Sequence, residues 1–165
     1  MTEIYSEEAS AWLERTGYGS QTPFPINSVE FPFPRDSGAK VFLARLIAGR
    51  IGTARSLLAV TDIGIWESSS NPFVFEKFIS TAGINRTIMW DDRVFLLTDE
   101  GDAEYAEGII ALSLLFIYGG FFARENGELI IGWSHDEFIY VGSAPNKKGV
   151  ELQQTLKELE NAVSG

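Results

Sequence analysis

Apolar positions recur along this chain at two spacings, and the change from one to the other marks out its elements. Near the start, Trp12 and Leu13 form the packing side of a short helix expected from Glu7 to Arg15, capped by Ser6. Glu7 and Glu8 in its first turn suit the helix dipole. The run Gly17-Tyr18-Gly19-Ser20 breaks it. From Thr22 to Pro34 four of the six prolines alternate with aromatics, which argues against a regular inner strand. This segment reads as an extended arm anchored to the chain's own core by Phe24, Phe31 and Phe33. A polyproline ligand for a partner domain is the alternative reading of the same pattern.

Asp36-Ser37 caps a second helix, expected from Gly38 to Ala48, with Gly49 and Gly52 flanking its end. Leu57 to Asp62 then reads as a buried strand, and Asp62 to Trp66 leads out of it. Ser70 or Asn71 caps a third helix that has Pro72 at its first position and runs to about Thr81, ending at Gly83. Arg93 to Thr98 is a short strand or loop segment. A long helix is expected from Asp102 to about Tyr118, with acids in its first turns. Phe121–Arg124, Glu128–Trp133 and Phe138–Val141 form a three-strand meander, and Asn126-Gly127 is the strongest hairpin signal. A closing helix spans about Gly149 to Val163, with Val150, Leu152, Leu156, Leu159 and Val163 as its apolar set.

The pattern predicts an α+β fold. A mostly antiparallel sheet of about four or five strands would carry helices mainly on one face. At 165 residues one domain is expected: residues 1–36 as an N-terminal helix and arm, residues 37–165 as the α+β core. The longest apolar run, Ile109 to Ala123, is too short to span a bilayer and is cut by Gly119-Gly120. With no basic, apolar leader at the N-terminus and no cysteine, a cytoplasmic location without a membrane role is the expectation.

Charge changes the picture more than composition does. The net charge is −10, and it arises between residues 59 and 145, where fourteen acids face four basic residues. Asp91, Asp92, Asp99, Glu100, Asp102, Glu104 and Glu107 have only Arg93 beside them. Such a band repels nucleic-acid phosphates and attracts a basic protein. Trp66, Trp90 and Trp133 stand beside polar or acidic neighbours, so they serve either as interface anchors or as core residues.

Chemistry has few carriers. His135, the single histidine, sits in Ser134-His135-Asp136-Glu137 and can act as a general base with Asp136 or Asp62 orienting it. Neighbours in a turn rarely point at one another, so a turn with Asp136 in a local bond is the bland alternative. The acidic cluster offers oxygen ligands, but its spacing does not fit an EF-hand, and capping carboxylates account for it. No phosphate-binding glycine motif occurs. No metal or cofactor is expected.

Asp62-Ile-Gly-Ile-Trp-Glu-Ser-Ser-Ser-Asn71 and Ser134-His-Asp-Glu-Phe138 together resemble the T-[DE]-x-G-[IV]-W-x-S-S-x-N and S-H-D-E-[FYW] segments of a group of small uncharacterised bacterial proteins. The similarity covers roughly residues 30–142 and departs at Trp90-Asp91-Asp92, where that group has an apolar, glycine-containing turn. It implies a shared fold and a common neighbourhood for Trp66, Asn71, His135 and Asp136, with no activity attached.

The first functional expectation is therefore a non-enzymatic, immunity- or inhibitor-type protein. It would hold a basic protein through Trp66, Trp90, Asp91, Asp92, Asp99, Glu100, Asp102, Glu104, His135 and Asp136. The alternatives are a small hydrolase-like enzyme built on the His135 loop, and a phage-type assembly subunit that associates through the arm.

Overall fold

Most local signals are realised where the sequence puts them. The computed structural model describes residues 1–19, 28–51, 55–65, 72–89, 92–145, 147 and 150–164. The first elements are β1 (Thr2–Ile4), α1 (Ser6–Thr16), β2 (Val29–Pro32), α2 (Ser37–Ala48), β3 (Ser56–Thr61) and α3 (Pro72–Thr81). They are followed by β4 (Val94–Thr98), a 3₁₀ turn at Glu100–Asp102, α4 (Ala103–Leu115), β5 (Gly119–Arg124), β6 (Ile130–Trp133), β7 (Phe138–Gly142) and α5 (Val150–Ser164).

The helix ends follow their chemistry. Asp36 caps α2 by accepting a 3.0 Å bond from the Ala39 amide. Glu8 closes the start of α1 by accepting from the Tyr5 amide at 3.0 Å, which moves the helix boundary one residue ahead of Glu7. Helix α4 stops short of Tyr118, because Ile117 turns into the left-handed region at φ 58°.

The fold is α+β with one open antiparallel sheet, in the order β1-β4-β3-β5-β6-β7-β2. The expected four or five strands become seven, and the additional two are the sheet edges β1 and β2. Each edge pairs with a single neighbour, so neither carries the alternation of a two-sided strand. In β2 only Phe31 is buried, and Pro32 is tolerated because an edge strand need not donate on its outer side. Part of the proline- and phenylalanine-rich arm is thus a strand, with Phe33 also buried. Phe24 lies outside the described residues.

Alternation in the inner strands builds two cores. Leu58 and Val60 of β3, Val94 and Leu96 of β4, Phe122 of β5, and Ile131 and Trp133 of β6 meet the buried sides of α2, α3, α4 and α5. Leu57 and Ala59, Phe95, Phe121 and Ala123, and Ile130 face the other way and meet Ala9, Trp12 and Leu13 of α1. The continuous apolar run of β3 has this cause: it is covered on both sides. Helix α1 is the only described helix in the second core, so that face is thinly roofed.

At one end of the sheet the backbone is unusual. Among the described residues, three non-glycine positions have positive φ: Asp62 (56°), Ile117 (58°) and Glu137 (64°). Asp62 follows the last residue of β3, Ile117 precedes β5, and Glu137 closes the β6–β7 turn. Thr61 pairs with Gly119, and Gly120 with Trp133, so all three lie at the same end.

Candidate functional site

Strand register places a row of polar residues across that end. Val94 pairs with Val60, Val60 with Gly120 and Gly120 with Trp133, so the next row outward is Arg93, Thr61, Gly119 and Ser134. By alternation this row returns to the α1 face, just beyond Phe95, Ala59 and Phe121. The lone histidine follows directly in the β6–β7 turn. That turn is held by Ser134 N–H donating to the Phe138 carbonyl at 2.9 Å and Glu137 N–H donating to the Ser134 carbonyl at 3.1 Å.

Residues 73 positions apart in sequence meet here: His135 Nδ1 lies 3.4 Å from Asp62 Oδ2. Its Nε2 is 3.6 Å from Asp136 Oδ1. The Thr61 hydroxyl donates to the same Asp62 oxygen at 3.1 Å, so Asp62 is oriented from two directions. Gly119 makes room for it. A Cβ at that position would fall on the Asp62 carboxylate and 2.6 Å from Thr61 Oγ1. The imidazole side chain is 32% exposed and Asp62 30%, so both stay reachable from solvent. Ser134 Oγ is buried without a hydrogen-bond partner among the described residues, so this serine is not activated by its histidine neighbour. A Ser134–His135 nucleophile pair is absent for that reason.

Between α1 and this end of the sheet lies a cleft of about 340 Å³. Ser6, Ala9, Ser10 and Leu13, one stripe of α1, form its roof. Phe95 and Phe121 form an apolar floor, and Thr61, Asp62, Arg93, Ser134 and His135 supply the polar rim. The volume falls at the lower end of ligand pockets, about 300–1,000 Å³, and the mix of apolar walls and few polar groups is the usual one. Arg93 is exposed and forms no ion pair among the described residues.

The acidic residues are mostly engaged with the fold. Asp92 accepts from Arg86 Nη2 at 3.0 Å and from the Met89 amide at 2.8 Å. Asp102 accepts from the Met1 ammonium at 2.7 Å and from the Asp99 amide at 2.9 Å. Burial pushes the Asp102 carboxyl up, but those two hydrogen bonds and the ammonium charge hold it below its ordinary value. Glu107 pairs with Arg45 at 3.1 Å. Asp99, 3.6 Å from Arg55, is exposed, as are Glu100 and Glu104. Among the described residues no three His, Cys, Asp or Glu side chains converge as a metal site.

Of the sequence candidates, the structure joins His135 and Asp136 to Asp62, and leaves Asp99, Glu100, Asp102 and Glu104 at the opposite end of β4. Trp66, Asn71, Trp90 and Asp91 lie outside the described residues. Trp133 is 1% exposed, so it is a core residue and not an interface anchor. Arg93, Phe95, Phe121 and the α1 stripe were not legible as site residues. Arg93 reads in sequence only as a counter-charge, and its place depends on which strands pair.

No described helix is long and apolar enough to cross a membrane. No family model matches the chain, and no curated protein or solved structure matches it either, so the site rests on its own geometry.

Proposed function

We propose that this is a small-ligand-binding protein, with the cleft beneath α1 as its site and His135, oriented by Asp62, as its hydrogen-bonding group. One observation carries the reading. All three described non-glycine residues with positive φ gather at the end of the sheet that holds the cleft. Such conformations cost on the order of 1–3 kcal/mol each and persist where the surrounding structure enforces them, commonly at ligand sites. Here one of the three, Asp62, lies 3.4 Å from His135, and another, Glu137, closes the turn that carries it.

The test is an amide-resolved NMR titration of the whole chain with a small-fragment set. Shifts concentrated at Ser6–Leu13, Thr61, Phe95, Phe121 and His135, and lost when Ser10→Phe fills the cleft from α1, support the reading. Fragments that leave all of these amides unmoved refute it. Asp62→Asn tests the charge separately, because Asn accepts the left-handed backbone that position needs.

A second reading has its own observation. Asp99, Glu100 and Glu104 are exposed at the start of α4, beside Tyr105, which is 42% exposed. This is the inhibitor-type reading, in which an acidic turn with an aromatic neighbour holds a basic protein. The five residues of β4 separate Arg93 from Asp99, six steps and roughly 20 Å of extended chain, so the two surfaces are separable by mutation. Capture of a basic partner that survives high salt, or survives Glu100→Lys with Glu104→Lys, would rule this reading out.

A further inference from the structure

We infer that the ligand of the cleft is a small carboxylate with an apolar body and a hydrogen-bonding group at its far end. This rests on the cleft being the functional site. The charge on its rim is unevenly used. Asp62 is already engaged by the Thr61 hydroxyl and by His135. Arg93 is the opposite case: an exposed guanidinium with no ion pair among the described residues. It stands within the most acidic stretch of the chain, where Arg86 is taken by both Glu3 and Asp92. A planar guanidinium offers a paired set of donors to a carboxylate. Among the described residues of the rim, Arg93 and Asp62 sum to zero, so the one cation without an ion pair suits a monoanion, while a phosphate dianion would add two negative charges for that single cation to offset.

Spacing fixes the rest of the molecule. Arg93 and Ser134 are the two ends of the polar row, three strand spacings apart, about 14 Å between backbones. Phe95 and Phe121 floor the span between them, and Ala9 and Leu13 roof it. The far end holds the buried Ser134 hydroxyl, which has no hydrogen-bond partner among the described residues, next to His135. A ligand clamped by Arg93 therefore lays an aromatic or aliphatic body across the floor and presents a hydroxyl or carbonyl to Ser134 and His135.

The experiment uses three probes that share one phenol and differ only at the other end: 3-(4-hydroxyphenyl)propanoate, its primary amide, and the matching propylamine. Each is titrated into the full chain and followed by amide shifts at the cleft. The expected result is that the acid binds at least about tenfold more tightly than the amide, the scale of one charge-assisted pair. Arg93→Ala should then bring the acid down to the level of the amide, while Arg93→Lys restores part of the difference. Arg93 makes no described side-chain bond, so these variants should fold as the parent does. If amide or amine binds as well as the acid, carboxylate recognition is wrong and the cleft remains a ligand site. If no probe moves the cleft amides and the fragment set also fails, both readings fall together.

Discussion

Placing a single methyl group at Gly120 tests the packing that creates the cleft. Gly120 pairs with Val60 on one side and Trp133 on the other. A Cβ there would lie 2.7 Å from Trp133 Cζ2, 2.8 Å from Cε2, and against the carbonyl oxygen of Ala59. None of these can retreat cheaply. Trp133 is 1% exposed, and Ala59 sits mid-strand between two paired neighbours. Overpacking of this kind costs about 1–3 kcal/mol, and a backbone partner argues for the upper part of that range. Replacing glycine stiffens the unfolded chain and offsets about 0.4–1 kcal/mol. The net expectation for Gly120→Ala is a loss of about 2 kcal/mol, out of a total stability of about 5–15 kcal/mol. For a chain of this length that lowers Tm by roughly 4–8 °C. Gly101→Ala is the control: a Cβ there meets nothing within 4 Å, and its φ is not in the left-handed region. It should gain a few tenths to about 1 kcal/mol. Urea unfolding at neutral pH, followed by circular dichroism, reads both. A Gly120→Ala midpoint at or above the parent's would refute the β5–β6 packing, and with it the position of the cleft.

Two tyrosines should respond oppositely to the same change. The Tyr18 hydroxyl donates to the Leu129 carbonyl at 2.6 Å, an oxygen that also accepts from the Arg124 amide at 3.0 Å, so Tyr18→Phe should cost about 0.5–1.5 kcal/mol in urea unfolding by removing one net hydrogen bond. Burial pushes the pKa of the Tyr118 hydroxyl up to about 12, and it has no hydrogen-bond partner among the described residues, so Tyr118→Phe should be neutral or stabilise by about 1 kcal/mol. Equal losses in the two variants would overturn that contrast. The Asp102 carboxyl has a folded-state value below its unfolded one, so its contribution is complete above the unfolded value, about pH 4, and vanishes as pH falls through the folded value. The gap in stability between parent and Asp102→Asn, about 1–2 kcal/mol, should hold flat from roughly pH 5 to 7 and close below roughly pH 4. A gap that widens on acidification would contradict the ion pair with Met1. Asp36→Ala should cost about 1 kcal/mol through loss of the α2 cap, measured by thermal unfolding.

Local signals in the sequence determine a large part of this molecule. Proline at the first position of α3, Asp36 before α2, Asn126-Gly127 between β5 and β6, and the doubly apolar run of β3 each act within a few residues, so they can be read without knowing the fold. Residue type alone singles out His135 with Asp136 or Asp62 as a candidate orienter, and the structure brings His135 to 3.4 Å from Asp62. What tertiary structure alone decides is register and neighbourhood. Strands β1 and β2 are too short to show a period and exist because an inner strand offers them a row of backbone partners. The acidic band looks unbalanced along the chain because its counter-charges are distant: Arg45 for Glu107, Arg55 for Asp99, and the Met1 ammonium for Asp102. Arg93 and Ser134 share one row only because β4, β3, β5 and β6 lie side by side in that order, an arrangement no local pattern encodes. A cleft is a property of how surfaces fail to meet. The absent side chain at Gly119, which leaves room for Asp62, becomes meaningful only when the strand beside it is known.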